Sequence, residues 1–119
     1  MNGKRYQIKR VYEPPAAADG LRVLVDRLWP RGVSKASGRI DLWAKELAPS
    51  DKLRREFHAK PERWAEFVKA YAKELEASEA QAAAAGLRSH KKGTITLLYA
   101  AKDEERNNAV ALLDWLRRS

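Results

Sequence analysis

Apolar residues along the chain fall into three short runs with strand character and three longer stretches with helical spacing, and that contrast predicts the secondary structure. Residues 6–12 (YQIKRVY) are rich in β-branched and aromatic side chains and end at Glu13-Pro14-Pro15, which reads as a first strand. Its polar positions Gln7, Lys9 and Arg10 suggest an edge or half-exposed position. Residues 13–20 (EPPAAADG) form a loop, because two prolines cannot join a ladder and Asp19-Gly20 supplies turn geometry. Residues 21–25, with only Arg22 polar, give a second, central strand. Residues 94–100 (TITLLYA) give the third, and their nearly unbroken apolar run predicts burial on both faces.

The helices follow from a different period. Trp64, Phe67, Val68, Tyr71 and Leu75 make one apolar stripe, and Pro61 suits the first position of the helix that carries it. The alanine-rich residues 77–85 allow that helix to continue to Gly86. Ser50 caps a shorter helix over 51–58, with Leu53 and Phe57 on one face. Asp103 is the cap expected for a last helix starting near Glu104, whose buried stripe is Ala109, Leu112, Leu113 and Leu116. Between Trp29 and Pro49 no period is sustained, and a short strand or helical turn is expected only near residues 40–47. Irregular segments that long are often functional. The order of elements predicts an α/β fold: one domain over residues 1–119, a small sandwich whose short, mostly parallel sheet of about three to four strands is covered by helices.

Composition narrows the chemistry. With 45% hydrophobic and 34% charged residues the chain has enough apolar surface to fold throughout. No apolar run is long enough to span a bilayer and residues 1–10 do not resemble a signal peptide, so a cytoplasmic location and no membrane partner are expected. The absence of cysteine excludes disulfides, thiolate nucleophiles and cysteine-ligated metals. His58 and His90 are far apart and make no metal-binding pattern; His58 ends a helix, and His90 lies in the basic turn Ser89-His90-Lys91-Lys92. The cofactor is left unknown by the sequence, with a carboxylate site for magnesium still open. Residues 1–40 hold 9 basic and 3 acidic side chains, against 15 and 13 in residues 41–119, so the net charge of +8 resides mainly in the first third. Such asymmetry favours an anionic partner.

The candidate chemistry lies in Asp26-Arg27-Leu28-Trp29-Pro30-Arg31-Gly32, directly after the second strand. If the second and third strands are parallel neighbours, this run faces residues 102–107 at one edge of the sheet, where α/β folds bind ligands. Arg27 and Arg31 can grip an oxyanion through their planar N–H forks, Lys102 adds a point charge, and a helix N-terminus adds unpaired N–H groups. Asp26 is a candidate general base or magnesium ligand, or else one member of a structural ion network with Arg27, Arg31 or Lys102. Asp103 has the competing role of helix cap, and Asn107 either lines the site or bonds locally. Trp29 and Trp43 either wall the site and stack on a base or anchor the irregular loop to the core.

DRLWPRG at 26–32, LWAKELAPS at 42–50, Phe67 and Tyr71 in the central helix, and TLLYAAKD at 96–103 followed by Asn108-Ala109 together resemble the YeaO-like family of bacterial proteins, domain of unknown function 488. The resemblance covers nearly the whole chain. It implies a small α/β sandwich and supplies no catalytic assignment. Its motif residues fall on Asp26, Arg27, Trp29, Pro30, Arg31, Gly32, Trp43, Lys45, Pro49, Ser50, Lys102 and Asp103, and Lys45 enters the candidate site on this ground alone.

Three functions compete. The favoured one is binding of, or action on, an anionic phosphate- or carboxylate-bearing small molecule at the strand C-terminal edge. A nucleic-acid module using the basic N-terminal third is the second, without specific DNA reading because no recognition helix follows the central one. A protein-interaction domain with a purely structural ion network is the third.

Overall fold

The computed structural model describes residues 4–90 and 93–118, so Met1 to Gly3 and the lysines of the basic turn at 91–92 lie outside the described residues. Four strands form one sheet: β1 (Lys4–Arg10), β2 (Leu21–Leu24), β3 (Leu42–Trp43) and β4 (Gly93–Tyr99), in the order β1-β4-β2-β3 and all parallel. The helices are α1 (Lys35–Gly38), α2 (Asp51–Ala59), α3 (Trp64–Glu74), α4 (Ser78–Arg88) and α5 (Asn108–Arg118). The α/β class is as expected from the sequence, with β2 in the interior, and the parallel pairing of β2 with β4 meets the condition on which the strand-tip site was argued.

The two faces of the sheet are covered unequally. Val23, Val25, Ile95, Leu97 and Tyr99 point into the main core with Phe67, Tyr71, Ala84, Leu87, Leu112 and Leu116 from α3, α4 and α5, and with Leu75 just past α3. Strand residues alternate between faces, so Leu24 and Leu98 point the other way, into a smaller core with Val11 and Ile40 against which Trp29, Val33 and Trp43 pack. That second face is closed by irregular chain and the single turn α1, where Ser34 caps through the N–H of Ser37.

The same face carries a polar row that the sequence reading did not foresee. Gln7, Thr96 and Arg22 are aligned across β1, β4 and β2 by the register of the sheet. Asp19 lies over them, accepting from Arg22 and from Lys9 at 3.0 Å, while its backbone carbonyl accepts from Thr96 Oγ1 at 2.6 Å. Arg22 is fully buried and spends its remaining donors on the carbonyls of Gly38 and Arg39. Gly20 makes this possible: its φ is +64° and a Cβ there would lie 2.1 Å from the carbonyl oxygen of Thr94.

Two helical expectations are corrected, and the one for residues 40–47 is met. The central helix does not start at Pro61 or run to Gly86; α3 begins at Trp64 and ends at Glu74, and α4 is separate, with Gly86 inside it. Nothing in the local sequence forces the break. The chain turns at Ala77, which is extended, so that Tyr71 and Leu75 on one side and Ala80, Ala84 and Leu87 on the other all reach the main core. The last helix starts at Asn108, four residues later than expected, and Asp103 caps an isolated turn instead. Residues 40–47 contain both proposed elements, the two-residue β3 and a 3-10 turn at 45–47.

Candidate functional site

The strand tips of β2 and β4 are parted by two side chains. Val25 N–H donates to the Leu98 carbonyl at 3.1 Å, so one further step of the parallel ladder would pair Ala100 N–H with the Val25 carbonyl. Instead Ala100 N–H donates to Asp26 Oδ2 at 2.9 Å, and the Val25 carbonyl accepts from Asn108 Nδ2 at 3.0 Å. The same amide nitrogen donates to Asp26 Oδ1 at 3.0 Å. The carboxylate and the amide thus take the two partners that the ladder gives up, and no backbone group is left unpaired by the split.

Chain direction places this split at a switch point. After β2 the chain passes to the smaller core, where Trp29, Val33 and Ile40 pack; after β4 it passes to the main core, where Ala109 and Leu112 of α5 are buried. Adjacent parallel strands whose connections leave toward opposite faces open a crevice at their C-terminal ends, the usual ligand position in open α/β sheets. A cleft of about 300 Å³ lies here, lined by Asp26, Arg27, Trp29, Arg31, Arg54 and His58, with Tyr12, Leu28, Pro30, Pro49, Ala100, Ala101 and Asn108 completing its wall.

Each charged wall residue is positioned by its neighbours. Tyr71 donates its hydroxyl to the Leu47 carbonyl, and Glu74 accepts from Ser50 N–H at 2.8 Å and from Ser50 Oγ at 2.6 Å, which ties the segment before α2 to α3. Pro49 in that segment accepts from Arg27 Nε at 2.9 Å, fixing the plane of the guanidinium. Arg54 and His58 are four residues apart on α2 and therefore share a face. One nitrogen of Arg54 bridges to Asp51 at 2.7 Å, while its Nε is shielded from water and has no hydrogen-bond partner. The Arg31 side chain is exposed, and its carbonyl accepts from Tyr12 Oη at 3.0 Å. Arg10 donates to the carbonyls of Ala100 and Ala101 at 3.1 and 2.8 Å, holding the chain just past the peptide N–H that Asp26 engages.

Asp26 is half-buried and among the described residues has no ion pair within bonding distance; its partners are the Ala100 N–H and the Asn108 amide, and its backbone carbonyl accepts from Trp43 Nε1 at 2.8 Å. Burial pushes its carboxyl above the ordinary aspartate range, against the hydrogen bonds from Asn108 and Ala100 and the charge of Arg54. The ion network suggested by the sequence does not form around it: among the described residues no arginine or lysine lies within ion-pair distance of its oxygens, which accept from uncharged N–H donors. The buried network of this protein is centred on Asp19.

The remaining sequence candidates are dispersed. Trp29 and Trp43 meet edge to face with ring centroids 5.2 Å apart, and Trp29 Nε1 donates to the Val33 carbonyl, so both anchor the loop although Trp29 also lines the cleft. Lys45 lies over the Trp43 ring at 4.2 Å and lines a separate depression with Glu46, Ser50, Glu74 and Glu79; Arg27 borders both hollows. Lys102 and Asp103 are exposed and lie outside the cleft wall. The N–H groups of Arg106 and Glu105 hold the Asp103 carboxyl below the ordinary range. Asn107 is buried and caps α5, its Oδ1 accepting from Val110 N–H at 3.0 Å and its Nδ2 donating to the Asp103 carbonyl at 2.8 Å. Its neighbour Asn108 takes the place at the cleft that the sequence reading gave to Asn107. Arg54, His58, Tyr12 and Asn108 were missed; of these only Asn108 carried a signal, as part of the family-like run after Asp103.

Charge distinguishes this cleft from the other hollows. The groove between α2 and α3 is lined by Leu53, Phe57 and Phe67 with Glu56, Lys60, Arg63 and Glu66 balanced around it. The depression beside Lys45 has more carboxylates than cations. Three arginines face one carboxylate in the cleft at the strand tips. Among the described residues no group of three or more histidine or acidic side chains is placed to hold a metal ion, and no helix is long and apolar enough to cross a membrane.

A protein-family model described as the inactive DUF488-N3 subclade matches residues 5–119. The chain is similar to the uncharacterized protein YeaO of Escherichia coli K12, 46% identical over 114 residues that cover 93% of this chain and 96% of the relative. It is also similar to the uncharacterized proteins Mb3100c of Mycobacterium bovis and Rv3073c of Mycobacterium tuberculosis H37Rv, each 39% identical over 112 residues, 94% of this chain and 93% of the relative. No solved structure matches it. The chain belongs to the YeaO-like DUF488 family, in the subclade described as inactive.

Proposed function

We propose that the protein binds an anionic small molecule, phosphate- or carboxylate-bearing, in the cleft between the tips of β2 and β4, and that it binds without transforming it. The observation that carries this reading is the convergence of Arg27, Arg31, Arg54 and His58, from two separate segments, on a crevice at the switch point of the sheet. Planar guanidinium groups match the geometry of carboxylate and phosphate oxygens.

Binding is favoured over catalysis for two reasons. Asp26, the one acidic group of the cleft, has both oxygens engaged by fixed donors and serves the architecture of the strand tips. The family model that matches the chain is described as an inactive subclade, which agrees with a retained pocket that has no reaction to perform.

The test is titration calorimetry at low salt with inorganic phosphate and with citrate, on the wild-type protein and on Arg31→Ala. The Arg31 side chain is exposed, so its removal leaves the fold intact. Saturable binding weakened about 10- to 150-fold by the substitution supports the reading, as expected for one charge-assisted contact of about 1.5–3 kcal/mol. Equal binding by both proteins, or none by either, overturns it.

A further inference from the structure

We propose that the ligand of this cleft is a nucleoside monophosphate, whose phosphate, sugar hydroxyls and base meet three chemically different parts of the wall; this rests on the anion-binding reading above. The first part is cationic: Arg27, held by the Pro49 carbonyl, with Arg54 and His58 on the adjoining face of α2. A doubly charged phosphate suits such a cluster better than a single carboxylate does.

The second part is Asp26. A site made only for a bare anion gains nothing from a carboxylate of the same sign as its ligand. Asp26 is nevertheless held in the wall by two fixed donors, and each carboxylate oxygen accepts only one bond from the protein. Each oxygen retains acceptor capacity, which a ligand carrying donors of its own can use. Sugar hydroxyls do so without adding charge.

The third part is apolar and open. Three large hydrophobic side chains among the described residues are strongly exposed, Tyr12 at 45%, Leu28 at 56% and Leu42 at 46%, and the first two line this cleft. Their placement beside Trp29 and Pro30 gives a rim on which a flat heterocycle loses water without needing specific hydrogen bonds. Tyr12 is oriented there by its hydroxyl bond to the Arg31 carbonyl and by the Arg10 guanidinium 5.0 Å from its ring centroid.

Calorimetric titration of inorganic phosphate, ribose 5-phosphate and adenosine monophosphate, each into the wild type and into the double variant Tyr12→Ala/Leu28→Ala, separates the three parts. The expected order is a several-fold gain from phosphate to ribose 5-phosphate and about a further tenfold gain for the nucleotide, the size of one stacking contact. In the double variant the nucleotide should lose its advantage and bind only as tightly as ribose 5-phosphate. If phosphate binds but either step of the ladder is missing, or the nucleotide keeps its advantage in the double variant, the nucleotide assignment fails while anion binding stands. If none of the three binds the wild type, both readings fail.

Discussion

Asp26 and Asn108 together end the pairing of β2 with β4: the carboxylate takes the Ala100 N–H, the amide takes the Val25 carbonyl, and the two side chains bond each other at 3.0 Å. The candidate cleft exists because these two residues stand where the ladder would have closed.

Asn108→Ala should therefore destabilise the fold by about 1–3 kcal/mol, because it leaves the Val25 carbonyl and Asp26 Oδ1 without their donor. Urea unfolding at neutral pH measures the loss. Asn108→Asp should be worse at pH 7, where two carboxylates face each other, and should recover stability as the pH is lowered and they come to share a proton. A variant as stable as the wild type would mean that water replaces the amide at no cost.

Two aspartates should shape the acid limb of the stability curve in opposite directions. Burial raises the Asp19 carboxyl, but the Ala16 N–H, Lys9 and Arg22 outweigh it and hold the group below the ordinary range. Its contribution is present above the unfolded aspartate value and is lost as the pH falls through the lower folded one. Asp26 has a raised folded value, so ionising it costs stability above that value and the cost disappears as the pH falls through it. Asp19→Asn should flatten the acid-induced loss and Asp26→Asn should steepen it. Chemical unfolding from pH 3 to pH 7 checks both signs.

At neutral pH Asp19→Ala should cost about 3–5 kcal/mol, since it leaves Arg22 charged in a buried site without its counter-ion. Replacing both partners, Asp19→Leu with Arg22→Met, should recover much of that loss. Thermal unfolding of the single and double variants measures the difference, and equal losses would place the energetic weight on the Gly38 and Arg39 carbonyls instead.

The sheet was largely legible in the sequence, because period and burial act locally: residues 94–100 are apolar on both faces, and β4 is buried on both faces. The break between α3 and α4 was not, because Ala77 is extended for a tertiary reason that no nearby glycine or proline announces. The site was legible in part. Asp26, Arg27 and Arg31 stood out because they follow a strand tip, but Arg54 and His58 belong to a helix whose sequence reads as an ordinary charged surface. Only the packing of α2 beside Pro49 and the 26–32 loop turns that face toward the cleft.

Two glycines should respond in opposite ways to a methyl group. Gly20→Ala meets the Thr94 carbonyl oxygen at 2.1 Å from a left-handed backbone and should cost at least about 1–3 kcal/mol. Gly86→Ala, inside α4 with open space around it, should stabilise by about 0.5–1 kcal/mol. Melting temperatures of the two variants give the comparison directly.

The central claim is that anions bind between the strand tips and not across the basic N-terminal third in general. Backbone amide chemical shifts of the isotopically labelled protein, followed during a phosphate titration at low salt, test this residue by residue. Saturable shifts confined to residues 26–31, 54–58, 100–101 and 108 are the predicted result. Shifts spread over the basic surface of residues 4–40, or no saturable shift at all, would contradict it.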